Sequence, residues 1–353
     1  MHATDPTLPA LAAILAGRFG VGPLAGIRPD AVIDTQNGIP FFARVVAGAP
    51  VTLLVHHCHR EQWPVAGRLM AKLGWWIESS LSPRVHRRNQ YLTVSLPSAD
   101  ELRALGVDRE RIAVVRNGAD AIPAGVAPGD DHTRTEHPSL CVLSRLVPHK
   151  QIEDALGAVA ALRGRIPGLH LDVIGGGWWE QNLRDAAADL GIADAVTFHG
   201  HVPEDRKHEL LSRAWLHVMP SRKEGWGLVV VEAAQHGVPT IGYRSSKGLT
   251  DSIIDGVTGL LVDSPAELLA EMNASNGCLV ASMTDAVADL LEDRGRLRQL
   301  GAKARIRAGE FSWEATGDGV FDVLAGTTRG QPVSGLFPRT GEPLHQHAHH
   351  AAG

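Results

Sequence analysis

Glu224 and Glu232 stand eight positions apart in RKEGWGLVVVEAAQHGVPTIGY (222–243), one ahead of an apolar run and one inside it. Carboxylates are rarely buried without a partner, so the segment asks what could hold both. Gly225 and Gly227 lie between them and let a ligand come close to the backbone. A helix is expected to start near Gly227, and the first N–H groups of a helix favour an anion, most naturally a phosphate. Glu232 lies five residues further on, about 7.5 Å along the axis at ~1.5 Å per residue. Two carboxylates flanking a phosphate repel it unless each accepts hydrogen bonds from hydroxyls on either side. A nucleotide sugar has that layout, with a hexose on one side of a diphosphate and a ribose on the other. Taken singly, a Glu on a helix is an ordinary surface residue.

A diphosphate also needs positive charge. SRLVPHK (144–150) offers Arg145 at a strand end and Lys150 at a helix start. Arginine supplies a planar fork for phosphate oxygens and lysine a mobile point charge; two solvated surface cations are the plain alternative. Gly175, Gly176 and Gly177 end VIGGG (173–177), where they either admit a ligand or make a tight turn. Their spacing is not a dinucleotide fingerprint. Nearer the start, LLVHHCHREQW (53–63) offers His56, His57 and His59 after an expected strand, with His56 best placed and His57 next. Clustered histidines serve equally well as structural groups, and HCH without a further ligand is a poor metal site. No metal site is expected. Glu61, Gln62 and Trp63 either shape an acceptor side or, for the tryptophan, pack into the core.

These residues need elements to carry them, and the second half of the chain shows the elements clearly. Apolar, β-branched runs at 140–146, 169–177, 195–201, 215–221, 240–243 and 259–262 alternate with helical spacing at 150–166, 179–190, 204–214 and from 227. That alternation means a parallel sheet covered on both faces, and ligands bind at the carboxyl ends of such strands. Gly237 and Pro239 are placed to end the last of these helices. The first 125 residues alternate less completely, with strands expected at 30–36, 51–55, 91–95 and 112–115 and helices at 8–16, 64–74 and 98–106.

Composition bounds the rest. Of 353 residues, 44% are hydrophobic and 21% charged, a soluble globular profile. The net charge of −5 leaves no electrostatic footprint for nucleic acid. Residues 1–125 are the more basic part, with 13 Lys and Arg against 10 Asp and Glu. Arg84, Arg87 and Arg88 cluster there, either as a solvated face or as a contact for a membrane or anionic acceptor, so membrane contact is at most peripheral. Cys58, Cys141 and Cys278 are scattered, odd in number and read as reduced thiols. With no apolar run of membrane-spanning length and no Lys or Arg ahead of the short apolar N-terminal stretch, a cytoplasmic location is expected.

SRLVPHK, VIGGG, VTFHGHVPED and EGWGLVVVEAAQHGVPTIGY, in that order, resemble the donor-binding domain of the family-4 retaining glycosyltransferases. That family has the α/β GT-B fold of two facing Rossmann-like, doubly wound domains. The likeness is co-linear over residues 112–262, and FSWE (311–314) fits the family's closing helix. It implies transfer of a sugar from a nucleotide-diphosphate donor to a hydroxyl acceptor, with the donor as a substrate and no cofactor or bound metal. Glu224 and Glu232 match the E-x7-E motif, so Glu224 would contact the donor sugar's hydroxyls and Glu232 the ribose. Arg145 and Lys150 match the diphosphate-binding pair. The backbone at Gly227 and Leu228 would take the distal phosphate, and the neighbourhood of His201 and Val202 the base. His56, or His57, would be the histidine that the family's first domain supplies.

The implied organisation is a partial acceptor-side domain at 1–125, a linker at 126–138, a donor domain with its closing helix at 139–326, and a disordered His-rich tail at 327–353. The family's opening strand, glycine loop and helix do not fit ahead of DAVIDTQNGIPFF (30–42), so the first domain is expected to be incomplete. A non-catalytic or partner-dependent nucleotide-sugar-binding protein is the alternative that this invites. Another GT-B enzyme, a nucleotide-sugar epimerase or a sugar phosphorylase, is a further one.

Overall fold

The computed structural model describes residues 7–19, 21–22, 24–60, 63, 67–265 and 282–337. The chain forms two compact units, one of residues 1–118 and 313–353, the other of residues 119–312.

In the first unit, β1 (Val32–Asn37), β2 (Ile39–Pro40), β3 (Val51–Val55), β4 (Gln90–Thr93) and β5 (Ile112–Val115) lie in one sheet. Among the described residues ahead of β1, the helix Thr7–Arg18 is the only regular element. The strands expected at 51–55 and 112–115 form at those residues. The core packs Leu53, Val55, Tyr91, Leu102, Ile112 and Val114. The helix expected at 98–106 begins earlier, at Leu96, because Ser95 is the residue that caps it. Ser95 is extended and its hydroxyl accepts the Ser98 N–H, with a proline in the first turn. The helix Arg68–Trp76 continues into a π-helical turn, Ile77–Leu81, that carries the fully buried Glu78.

The second unit contains β6 (Ser139–Leu143), β7 (His170–Ile174), β8 (Val196–Gly200), β9 (Leu216–Met219), β10 (Thr240–Tyr243) and β11 (Gly259–Val262), all parallel. Their order is β11-β10-β9-β6-β7-β8. The order reverses between β6 and β9, which is the crevice position of a doubly wound sheet. Both faces are covered, so these strands read as continuous apolar runs. The core joins Leu140, Val142, Leu171, Val173, Leu216 and Val218 to helix residues such as Leu156 and Val159.

The chain then returns to the first unit. The helix Trp313–Thr328 packs there, with the Thr316 hydroxyl donating to Arg116 O at 2.9 Å and Val323 fully buried among Leu92, Ala113 and Val115. β12 (Gly335–Phe337) then pairs with β5 and completes the order β12-β5-β4-β3-β1-β2, in which only β2 runs antiparallel.

Three boundary expectations are thereby corrected. The closing helix belongs to the first unit and not to a domain ending at 326, because its apolar face is spent on β3 and β5. Residues 335–337 of the expected tail are a strand, while 338–353, with the terminal histidines, lie outside the described residues. The expected linker at 126–138 packs on the second unit. Gly129 N donates to His236 Nδ1 at 3.1 Å, and Trp215 Nε1 donates to Thr135 O at 2.9 Å. Residues 266–281, including Cys278, also lie outside the described residues; Cys58 and Cys141 are both buried. No helix among the described residues is long and apolar enough to cross a membrane.

Candidate active site

Four loops at the carboxyl ends of neighbouring strands carry the residues singled out in the second unit. The loop after β6 bears Arg145 and Lys150, that after β7 Gly176 and Gly177, that after β8 His201 and Val202, and that after β9 Glu224 through Leu228. Sheet order makes these four strands contiguous, and the β6 and β9 loops straddle the switch point.

The glycine triplet has a structural job first. Ser144 N donates to Ile174 O and Leu146 N to Gly176 O, each at 3.0 Å, so pairing runs on beyond the strand ends. A Cβ on Gly175 would overlap the Ser144 carbonyl, and one on Gly177 would overlap that of Leu146. Gly176 is different, since its nearest neighbour would be His201 N at 3.8 Å. Of the three, only Gly176 faces open space beside the β8 loop. His201 is exposed there, and Val202 packs against the core.

After β9, Trp226 anchors the loop. It is 3% exposed and meets Phe311 edge-on at 4.9 Å. Gly227 then turns into the helix Leu228–Gln235 with φ of 96°, a conformation that side chains resist. The helix buries Val230, Val231, Ala233 and Ala234 and ends where expected, with Gly237 in the left-handed region.

Each glutamate has an ammonium partner. Lys150 Nζ is ion-paired with Glu224 Oε1, both side chains 12% exposed, so the pair bridges the β6 and β9 loops across the switch point. Arg222 N donates to His149 O at 3.0 Å and ties the same loops. Burial, and then the charge of Lys150, hold His149 below the usual histidine range. Arg145 is exposed at the loop tip and has no ion pair among the described residues.

Glu232 Oε1 takes Lys207 Nζ at 2.6 Å, and Lys207 also reaches Glu204 at 2.6 Å. Burial works against the Lys207 ammonium, but the hydrogen bonds to Glu204 and Glu232 outweigh it and raise its pKa above the usual lysine range. Lys207 was not singled out from the sequence. The signal was present, because Lys207 shares a helix face with the buried Leu210 and Leu211 at i, i+3 and i+4. The next residue, His208, meets His236 at 2.9 Å and ties the Lys207 helix to the Glu232 helix. Gly129 N–H fills His236 Nδ1, so His236 Nε2–H donates to His208 Nδ1.

In the first unit the loop after β3 places His56 at the surface and stacks His57 on His59, ring centroids 4.4 Å apart. His59 is structural: Nε2 lies 2.8 Å from Asn37 Oδ1 and Nδ1 3.3 Å from Glu78 Oε1. Trp63 donates to Glu78 Oε2 at 2.7 Å, and its ring fits against Gly38 and Gly74, so it is the packed tryptophan and not an acceptor wall. Glu61 and Gln62 lie outside the described residues.

The chain matches the family described as "Glycosyl transferases group 1" over residues 130–307 and "Glycosyltransferase Family 4" over 6–121. It is 32% identical over 295 residues to the GDP-mannose-dependent alpha-(1-6)-phosphatidylinositol monomannoside mannosyltransferase of Mycobacterium tuberculosis, covering 80% of this chain and 71% of that one. The D-inositol 3-phosphate glycosyltransferase of Nocardia farcinica is 34% identical over 248 residues, 64% of this chain and 50% of that protein, so this chain spans about half of it. Among solved structures, Anabaena Alr3699/HepE in complex with UDP and glucose superposes with a TM-score of 0.65 at 18% identity, over 91% of this chain and 82% of that one. The fold is thus that of the GT-B glycosyltransferases, and the chain belongs to the family-4, group 1 glycosyltransferases, enzymes that move a sugar from a nucleotide-sugar donor to an acceptor.

Proposed function

We propose that this chain is a retaining, metal-independent glycosyltransferase whose donor lies along the carboxyl ends of β6 to β9. The observation that carries the reading is the Lys150–Glu224 pair across the switch point, with the Gly227 helix start beside it. Arg145, Lys150 and the first N–H groups of Leu228–Gln235 take the diphosphate. Glu224 accepts hydrogen bonds from the donor sugar and Glu232 from the ribose, while Gly176, His201 and Val202 border the base.

Negative charge grows on the departing diphosphate as the glycosidic bond breaks, and fixed cations in place beforehand stabilise it. Lys150 has three donors, so it can hold Glu224 and a phosphate oxygen at once. The leaving phosphate takes the acceptor's proton on the same face of the sugar, which retains the anomeric configuration without a carboxylate nucleophile. Glu224 is therefore a binding group. His56 and His57 are the first-unit candidates for contact with substrate, and the cytoplasm is the proposed location.

The relatives' printed names make GDP-mannose the first donor to try. A thermal-shift screen against GDP, UDP, ADP and dTDP with their sugars tests the site, since a ligand that binds the folded state raises the melting temperature by mass action. A selective rise is expected, and none with any nucleotide would sink the assignment. Transfer by the purified chain alone, with product anomers read by NMR, tests turnover and retention; an inverted product would overturn the mechanism, and turnover only with an added protein would make it a partner-dependent subunit.

A further inference from the structure

The first unit has a second charged site, at the end of its sheet opposite His56. A pocket of about 390 Å³ opens beside the amino ends of β3 and β4 and is lined by Arg44, Arg88 and Arg111. Its volume is within the usual range for small-molecule sites. β3 runs from Val51 at this pocket to Val55, one residue before His56, so the two ends are about 15 Å apart at ~3.3 Å per residue. The sequence groups Arg88 with Arg84 and Arg87, whereas the fold brings it to Arg44 from the helix Ala43–Val46 and Arg111 from the turn before β5.

No Asp or Glu lines the pocket, and none of the three arginines has an ion pair among the described residues. Arg111 donates one N–H to Arg88 O at 2.9 Å, which leaves most of its fork uncommitted. The buried carboxylate nearest in sequence to Arg44, Asp34, is spent on backbone, accepting the N–H of Phe41 at 3.0 Å and of Ala43 at 2.8 Å. That pins the turn carrying Arg44. The local field is positive enough to be felt by a neighbour. His86 is fully buried and held down to about 4, by burial first and by Arg44 second.

Asn89 lines the same wall and is 6% exposed. Its Nδ2 donates to Val51 O at 2.7 Å, while its buried Oδ1 has no partner among the described residues. Three guanidinium groups call for an anion, and their planar forks suit phosphoryl oxygens. The unfilled amide oxygen calls for a donor beside it.

We infer that Arg44, Arg88, Arg111 and Asn89 form a binding site for a phosphate ester bearing a free hydroxyl, separate from the donor loops. A soluble polyol phosphate and a phospholipid headgroup share that chemistry. The test uses the full chain carrying R145A and K150A, so that the donor loops cannot take the anion. Glycerol 3-phosphate is titrated calorimetrically, and flotation with phosphatidylglycerol vesicles is compared with flotation with phosphatidylcholine.

Saturable binding of glycerol 3-phosphate, weakened at least about tenfold by R44Q/R88Q/R111Q, is expected if the source is soluble, a tenfold loss being 1.4 kcal/mol. Arginine-dependent flotation with phosphatidylglycerol alone would identify the source as a lipid headgroup. Should the triple variant lose its melting transition, the exposed single changes R44Q and R88Q carry the same comparison. Absence of binding in both arms, or binding indifferent to these arginines, overturns the inference.

Discussion

Both units bury ionisable side chains against polar partners, yet they use them differently. In the second unit, lysine–glutamate pairs join loop to loop and helix to helix near the switch point, each partly reachable by solvent. In the first, Glu78 is sealed from solvent and is spent on His59 and Trp63. A pair with spare donors and residual exposure can exchange one partner for a ligand. A sealed carboxylate with every neighbour committed can only hold the fold. Burial and spare valence, more than residue type, separate the proposed binding groups from the scaffold.

The largest effect that would break this comparison is on turnover. Lys150→Ala is expected to lower kcat by about 10²–10³-fold, the usual loss when a preorganised group facing developing charge is removed. Steady-state kinetics and a melting curve check it together, and a fall in melting temperature without the kinetic loss would make Lys150 scaffold. Glu78→Ala should show the opposite pattern. Stripping His59 and Trp63 of their partner should cost about 3 kcal/mol in urea denaturation, with nucleotide diphosphate affinity preserved in the protein that remains folded. Lost affinity at unchanged stability would move Glu78 into the binding machinery.

Glu232→Ala should weaken nucleotide diphosphate binding by about 1.5–3 kcal/mol, the worth of a charged hydrogen-bond acceptor. Isothermal titration with GDP or the nucleotide selected in the screen checks this, and an unchanged Kd removes Glu232 from the site. The smallest effect concerns acid. His236 is lowered from the usual 6.5 to about 3, chiefly by burial and then by His208, and His217 falls to about 4 by burial. Both stay neutral in the folded state while the unfolded chain takes up protons below about 6.5. Their stabilisation is therefore present above pH 6.5 and is lost as pH falls toward 4 and 3, by up to ~1.4 kcal/mol per pH unit per proton. Hydrogen exchange at pH 7 and 5 should show the second unit, which holds both, loosening before the first, where His86 is lowered to about 4 and the surface His56 is lowered as well. Earlier loosening of the first unit would count against these histidines as the acid-sensitive groups.

Much of this was legible in the linear chain. The strands at 51–55, 112–115, 240–243 and 259–262 form at the residues expected, because each is a short apolar run bounded by turn-forming or helical sequence. The four loops after β6 to β9 were legible for a related reason: a strand end followed by a helix start is a local pattern. The partners of those loops were not. Lys150 and Glu224 are 74 residues apart and Lys207 and Glu232 are 25, and nothing local to one member announces the other. Gly175 and Gly177 had two open readings until the Ser144 and Leu146 carbonyls closed one of them.

What the sequence by itself determined is the alternation of elements, the two Rossmann-like sheets and the side chains offered at the strand ends. Periodicity and turn chemistry act over a few residues and are written in the order of the chain. Only the tertiary structure decided which lysine serves which glutamate, that the helix Trp313–Thr328 returns to the first unit, and that Arg44, Arg88 and Arg111 share one pocket. Those outcomes depend on sheet order and on which apolar face finds cover, and both are properties of the packed whole, where segments distant in sequence become neighbours.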